Sequence, residues 1–101
     1  MSSLQGFQRR FLRGLANPRR PLVHVGESGL SAGVLGALDR ALLDHELVKV
    51  RLRQPEHKQA VARELAERSG AELCGLVGHT VILYRRHPEQ PRIELPVRES
   101  G

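Results

Sequence analysis

The sequence predicts an α/β domain built around a mixed four-stranded β-sheet. Apolar residues recur at helical spacing in three segments and cluster or alternate in four short ones, and these segments follow the order α-β-α-β-α-β-β. Two strand–helix–strand units favour parallel pairing through right-handed crossovers, whereas the last two strands favour an antiparallel hairpin. A chain of 101 residues has room for one such domain.

The first helix is predicted to be amphipathic. Ser2 and Gln5 have the spacing of a capping box at its start, and Pro18 predicts its end near Asn17. Its apolar arc contains Leu4, Phe7, Phe11, Leu12 and Leu15. The opposite side carries Arg9, Arg10 and Arg13. We expect this arginine face to bind an anionic partner; a solvated charged surface is the alternative.

A β-branched run at residues 21–25 predicts the first strand, and the turn Gly26-Glu27-Ser28-Gly29 follows it. Ser31 is placed to cap a second helix that runs to about His45. The broad buried face predicted for this helix comprises Val34, Leu35, Leu38, Ala41 and Leu42.

The second strand alternates over residues 47–53. One side holds Val48, Val50 and Leu52, and the other holds Lys49, Arg51 and Arg53. This pattern predicts one face in the core and one in water. The three charges indicate either a cationic binding track or a protection against edge-to-edge strand pairing.

The remaining elements are a third helix and a hairpin. The helix is predicted to start at Pro55 and to end before Gly70, and its buried face comprises Val61, Ala62, Leu65 and Ala66. Strands at residues 71–77 and 80–85 are joined by Gly78-His79, which fits a type II′ turn. Three prolines and weak periodicity after His87 predict a domain at residues 1–87 and a mobile tail at residues 88–101.

The charge distribution is uneven. Lys plus Arg number 16 against 11 Asp plus Glu, which gives a net charge of +5. The first 20 residues contain no acid and account for the whole excess through Arg9, Arg10, Arg13, Arg19 and Arg20. Such an asymmetry favours an anionic partner. Because only 3% of the residues are aromatic, we expect recognition to rely on shape and backbone rather than on base stacking.

Several functional classes are disfavoured by what the sequence lacks. Cys74 is the only cysteine, so it forms no internal disulfide or zinc ribbon, and we expect it in the core. The five histidines never occur at i, i+4, and no phosphate or dinucleotide fingerprint is present, so we predict no catalytic set, no metal and no cofactor. His24 is expected to be a partly buried strand residue.

The sequence also bears on location. No apolar run approaches the roughly 20 residues of a membrane span. The N-terminus has no long apolar core like that of a secretory signal, so the cytoplasm is the expected location. The Arg-rich, acid-poor start also fits an organelle transit peptide, which is the alternative.

Five ordered motifs resemble those of one known family. They are Gln8-Arg9-Arg10-Phe11-Leu12-Arg13-Gly14-Leu15-Ala16, GESGL at residues 26–30, HELVKV at residues 45–50, Glu64-Leu65-Ala66 and GHTVILYR at residues 78–85. Over residues 7–86 the chain resembles the YhbY-like, or CRM-domain, RNA-binding proteins. The resemblance implies a two-layer α/β fold similar to the C-terminal domain of translation initiation factor 3, preceded here by the first helix.

The resemblance also implies RNA binding without catalysis. Single-domain bacterial members associate with precursors of the large ribosomal subunit and act in its assembly. We therefore expect a monomer that binds ribosomal RNA of such precursors, with no membrane and no small-molecule substrate as partner. The residues expected to contact RNA are Arg9, Arg10, Arg13, Arg19, Arg20, Gly26, Glu27, Ser28, Gly29, Lys49, Arg51 and Arg53.

Glu27 departs from the pattern of the family, whose loop usually carries a basic residue after its first glycine. Because a carboxylate repels a phosphate, we expect this loop to reach RNA through its backbone or to bind it less tightly. The alternative function is that of a peripheral adaptor. Its basic N-terminal helix would dock on anionic lipid or on a ribosomal protein.

Overall fold

The computed structural model describes residues 4–53 and 56–98. Within them, the helices are α1 (Gly6–Ala16), α2 (Ala32–His45) and α3 (Lys58–Ser69), and the strands are β1 (Val23–Val25), β2 (Leu47–Leu52), β3 (Glu72–Val77) and β4 (Thr80–Tyr84). This order confirms the predicted fold class. The predicted cap Ser2 and the predicted helix start Pro55 lie outside the described residues.

The four strands form one mixed sheet in the order β1-β2-β4-β3. β1 and β2 are parallel, as predicted, and β4 is antiparallel to both of its neighbours. The parallel pairing predicted for the second strand–helix–strand unit is wrong, because β4 lies between β2 and β3. The reason is burial: residues 81–84 of β4 are buried on both faces, and a strand of that kind is most stable at the centre of a sheet.

Local signals set the start of α2, the end of α3 and the hairpin turn as predicted, whereas α1 has Gln5 as its N-cap and α3 begins at Lys58, both later than predicted. The Ser31 side chain accepts a hydrogen bond from the Val34 N–H at 3.2 Å at the start of α2. Gly70 ends α3 with a φ of +71°, the left-handed conformation that glycine adopts readily. In the hairpin turn, Gly78 has a φ of +59°, as a type II′ turn requires at its first position.

One face of the sheet packs against α2 and α3 and forms the larger apolar core. The side chains predicted to face this core from β2 and the two helices do so. Its buried members are Val23, Val25, Leu38, Leu42, Val48, Val50, Leu52, Ala62, Leu65, Ala66, Val81 and Leu83. No charged side chain belongs to this described cluster, so apolar burial dominates the packing of the two helices on the sheet. At its margin, the Arg85 guanidinium, which follows β4, forms an ion pair with Asp39 of α2 and donates to the Ser69 carbonyl of α3.

The opposite face carries a second, smaller apolar cluster under α1. Its buried members are Leu4, Leu12, Ala16, Leu47, Cys74, Ile82 and Tyr84, and Ile93 and Leu95 from the C-terminal segment pack against them. The predicted apolar arc of α1 is therefore wrong at Phe11. Leu12 and Ala16 are fully buried, whereas Phe11 is 38% exposed.

The orientation of α1 about its own axis matches a gap in β3. A Cβ atom at Gly75 would lie 2.7 Å from Cδ of Arg13, so the missing side chain makes room for the aliphatic part of an arginine. Arg13 thus lies on the side of α1 that faces the sheet, and Phe11 lies on the side that faces solvent.

The C-terminal segment, residues 87–98, has no regular secondary structure but is tied to the sheet through Glu46. This residue is 1% exposed and adopts a φ of +62° between α2 and β2. Its carboxylate accepts hydrogen bonds from the N–H groups of His87, Arg92 and Ile93, each at 2.8 Å. These contacts join residues 87–93 to the domain, and the mobility predicted for the tail from residue 88 onward stays a prediction.

Candidate nucleic-acid interface

The turn of residues 26–29 joins β1 to α2 at one end of the sheet. The Gly29 N–H donates to the Gly26 carbonyl at 3.1 Å, which closes a tight turn. Gly29 has a φ of +70°, so the turn itself requires glycine at this position. Glu27 and Ser28 are exposed at its tip.

Gly26 is explained by neither backbone strain nor packing. It is absent from the residues with positive φ, and a Cβ atom built on it meets no heavy atom within 4 Å. The missing side chain therefore leaves open space beside the backbone of the turn. Glycines in that setting allow a ligand to approach main-chain N–H groups closely.

Two other segments meet the turn at the same end of the sheet. The Arg53 N–H donates to the Val25 carbonyl at 2.9 Å, which holds the end of β2 beside the start of the turn. The Leu52 N–H donates to the His79 carbonyl at 2.7 Å, which brings the β3–β4 hairpin to this end as well.

The eight basic residues predicted to contact RNA fall into two groups. Four are exposed, and within residues 4–53 and 56–98 their side chains have no hydrogen-bond or ion-pair partner: Arg10, Arg20, Arg51 and Arg53. These four are available to a ligand without breaking a described contact.

Three of the other four, Arg13, Arg19 and Lys49, link the α1 region to the sheet. Arg13 donates to the Cys74 carbonyl at 2.8 Å, and Arg19 donates to the Leu47 carbonyl at 3.1 Å. The ammonium group of Lys49 donates to the carbonyls of Asn17 and Arg19 at the C-terminal end of α1. Among these acceptors, the carbonyl of the C-cap residue Asn17 is one that the helix itself leaves unpaired.

The predicted arginine face of α1 is therefore corrected. Arg10 is exposed, but Arg9 and Arg13 are half-buried and lie on the side of α1 that faces the sheet. The helical spacing of the three residues is as predicted. What the sequence does not contain is the direction from which the sheet approaches the helix, and the gap at Gly75 decides that direction.

Beyond the end of α1, one row of side chains crosses all four strands. His24 pairs with Arg51, Arg51 with Thr80, and Thr80 with Val77. His24, Arg51 and Val77 are exposed, and Thr80 is half-buried. We call these four residues the open row. They lie on the same face as α1, in the part of the sheet that α1 does not cover.

The open row was only partly predicted. The alternation in β2 placed Lys49, Arg51 and Arg53 on one side; of these, Lys49 is half-buried near the end of α1, Arg51 lies in the row, and Arg53 follows the strand. The expectation of a partly buried His24 is wrong, because α1 ends before it covers β1. The alternation Val23-His24-Val25 gives the correct face but not its exposure.

The remaining chemistry on the chain is limited. Burial raises the pKa of the Cys74 thiol to about 12, so this thiol is protonated near neutral pH and is a poor nucleophile. Among the described residues, no group of three or more His, Cys, Asp and Glu side chains could hold a metal ion. In the same part of the chain, no helix is both long enough and apolar enough to cross a bilayer.

The comparisons with known proteins all indicate the same family. Residues 4–85 match the model of the CRS1 / YhbY (CRM) domain. The chain is 37% identical to a Haemophilus influenzae protein named "RNA-binding protein", over 95% of this chain and 98% of the relative. It is also 37% identical to the Bacillus subtilis protein named "Probable RNA-binding protein YqeI", over 92% and 99% of the two chains.

A solved structure agrees with this comparison. The solution structure of the hypothetical protein SAV1595 from Staphylococcus aureus superposes with a TM-score of 0.82 at 34% sequence identity, and the match covers 92% of this chain and 99% of that one. The molecule is thus a small α/β domain in which a glycine-flanked turn lies beside arginine side chains that have no partner among the described residues. The chain belongs to the CRS1 / YhbY (CRM) domain family.

Proposed function

We propose that this chain is a non-catalytic RNA-binding protein that binds ribosomal RNA in precursors of the large subunit and acts in the cytoplasm as an assembly factor. The observation that carries the proposal is the position of Arg51 and Arg53 beside the turn of residues 26–29, with no described partner for either guanidinium group. The names of the relatives, which describe RNA-binding proteins, support the same class of ligand.

The proposed contacts use charge and backbone. Arg51 and Arg53 neutralise phosphates, and Arg10 and Arg20 extend the cationic surface along α1 and beyond it. The turn contributes backbone N–H groups, and α2 begins just after it with the positive end of its dipole. Glu27 repels phosphate, so the turn binds through its main chain. Contacts of this kind position RNA without reading its sequence.

The adaptor alternative places α1 on lipid or on a ribosomal protein. Binding to lipid would cost free energy, because the side chains that would enter the bilayer include Leu12, which is fully buried between α1 and the sheet. The hydrogen bond from Arg13 to β3 would also break if the helix left the sheet. The ribosomal-protein version needs no such rearrangement and is an outcome of the test below.

Fractionation of cells tests the proposal. Tagged protein is separated on sucrose gradients, and ribosomal RNA is crosslinked to it in each fraction. We expect the protein with large-subunit precursors, and we expect Arg51→Gln/Arg53→Gln to move it to free fractions. The matched control is Arg63→Gln/Arg68→Gln, which removes the same charge from exposed positions of α3 and should leave the distribution unchanged.

Three outcomes would contradict the proposal. They are recovery in membrane fractions alone, recovery in free fractions alone at low salt, and association with particles that survives nuclease digestion of the RNA. The last outcome would instead favour a ribosomal protein as the direct partner.

A further inference from the structure

We propose that the His24 imidazole and the Arg51 guanidinium together form a stacking platform for an unpaired base of the bound RNA. This inference rests on the proposed function and adds a class of substrate to it, namely single-stranded RNA. It gives a role to the open row, of which the phosphate contacts use only the charge of Arg51. It also revises the expectation that recognition does without base stacking, because that expectation counts Phe, Trp and Tyr and leaves out the planar groups of His and Arg.

The register of the sheet places the two groups side by side. His24 and Arg51 are direct partners in the parallel pair of β1 and β2, so both side chains leave the same face of the sheet. Neighbouring strands are about 4.8 Å apart, and the two side chains are therefore adjacent. Both residues sit on strands rather than loops, which fixes the direction in which each side chain leaves the backbone.

Both side chains are free to meet a ligand. They are exposed, and across residues 4–53 and 56–98 neither has a hydrogen-bond or ion-pair partner. Arg13 and Arg85 show the contrast, since each donates to a backbone carbonyl. An exposed arginine beside an exposed histidine on a sheet face has no evident part in holding the fold.

The chemistry of the row fits a nucleobase. Imidazole rings and guanidinium groups are planar, and both stack on unpaired RNA bases. At the other end of the row, Val77 is 64% exposed and offers an apolar contact to a sugar or a second base. Thr80, between Arg51 and Val77, adds a hydroxyl group, and the row contains no carboxylate.

The surroundings supply the backbone contacts that such a base needs. The turn of residues 26–29 starts directly after β1, and Arg53 follows β2, so both lie at the end of the strands that carry the platform. A groove lined by Arg13, Gly14 and Asn17 of the α1 region reaches Thr80 and Val77. In a duplex the faces of the bases are covered by their neighbours, so the platform selects RNA that is unpaired at this point.

Fluorescence anisotropy with a labelled, non-self-complementary RNA 12-mer tests the platform. We expect His24→Ala to weaken binding about five- to tenfold, near the lower end for loss of one base–aromatic stack. His24→Phe should restore binding, because a phenyl ring stacks without charge. Arg51→Lys should keep the salt dependence of binding but lose affinity, since an ammonium group has no planar face.

A matched control is His45→Ala, an exposed histidine at the last position of α2, on the other face of the sheet. It should bind as the wild type does. A 2-aminopurine nucleotide placed in the 12-mer reports stacking directly: its emission should be quenched by the wild type and by His24→Phe, and less by His24→Ala.

The outcomes separate the platform from the proposed function. If the folded wild-type protein binds no RNA, the proposed function fails. If the wild type binds but His24→Ala and His24→Phe both bind equally well, the platform is wrong and the proposed function stands. The platform is also wrong if His24→Ala lowers affinity only by making the salt slope less steep, because that result assigns His24 to a phosphate.

Discussion

The two faces of the sheet are covered to different extents and by apolar clusters of different size. On one face, α2 and α3 cover the strands with the larger apolar cluster, and Arg85 adds contacts to Asp39 and Ser69 at its margin. On the other, α1 and the C-terminal segment cover part of the sheet and depend on polar contacts at their margins, among them those of Arg13 and Glu46. The rest of that face is the open row.

The difference shows how a small domain combines a stable core with an exposed binding surface. The apolar face supplies most of the stabilisation, because burial of apolar area is the dominant favourable contribution to folding. The second face can then leave part of the strands uncovered, provided that polar contacts close the margin of its smaller apolar cluster against solvent.

Glu46→Gln should have the largest effect on folding. The carboxylate is buried and accepts three backbone hydrogen bonds, and bonds to a charged group contribute about 1.5–3 kcal/mol each. We expect the free energy of unfolding to fall by about 2–3 kcal/mol, measured by urea denaturation. Hydrogen exchange at the amides of residues 87–93 should accelerate. Glu67→Gln, at an exposed position of α3, is the control.

The same carboxylate should make stability depend on pH. Burial acts to raise the pKa of Glu46, but the N–H donors of His87, Ile93 and Arg92 and the nearby His87 side chain outweigh it and lower the pKa below its ordinary value. Its contribution is thus fully present above the unfolded-state pKa and is lost as the pH falls through the lowered value. The stability difference between wild type and Glu46→Gln should shrink below about pH 4.5; a constant difference would contradict this account.

Arg13→Ala should destabilise the protein by about 1.5–2 kcal/mol, because it removes a charge-assisted hydrogen bond to the Cys74 carbonyl and packing over Gly75. Arg10→Ala, three residues earlier on the exposed side of α1, should change stability by no more than about 0.5 kcal/mol. Equal effects in thermal unfolding would show that the side of α1 facing the sheet has been assigned incorrectly.

The uncovered end of the sheet is tested by Arg51→Gln/Arg53→Gln. If each arginine neutralises one phosphate, the slope of log K against log salt on single-stranded RNA should become less steep by about 0.7 per residue, or about 1.4 for the pair. Arg63→Gln/Arg68→Gln should leave the slope as in the wild type. An unchanged slope in the first variant would move the phosphate contacts to Arg10 and Arg20.

Glu27→Lys should give the smallest effect. If the side chain lies about 8 Å from a phosphate, reversal of its charge should tighten binding about fivefold at low salt and about twofold at physiological ionic strength. Glu67→Lys on α3 makes the same change of charge away from the turn. Equal affinities for these two variants would show that the turn does not approach RNA.

The sequence is sufficient for the elements of the fold and for the apolar face. Periodicity in α2, α3 and β2 reports burial directly, because each element has one neighbouring layer on that side. The central position of β4 was missed, although its uninterrupted run Val81-Ile82-Leu83-Tyr84 is typical of a strand buried on both faces. As the second strand of a hairpin, β4 is assigned β3 as one neighbour, and the hairpin pattern does not assign the other.

The second face is less predictable for physical reasons. The orientation of α1 depends on an absent side chain at Gly75, more than 60 positions from Arg13 in the chain, and spacing within the helix carries no trace of it. The C-terminal segment is held through backbone N–H groups, which every residue except proline possesses, so its sequence shows no periodic pattern. The sequence predicts which basic residues are candidates to contact RNA. It does not predict which of their side chains form hydrogen bonds within the protein.

The central place of β4 also has a consequence for how the chain folds during synthesis. β2 and β3 are made first, yet no ladder joins them until residues 80–84 leave the ribosome and enter between them. A nascent chain that stops short of this strand exposes the edges of both, which are templates for wrong pairing. Completion of the sheet is therefore a late, cooperative step that waits for nearly the whole domain, and this chain gains little from folding piece by piece as it emerges.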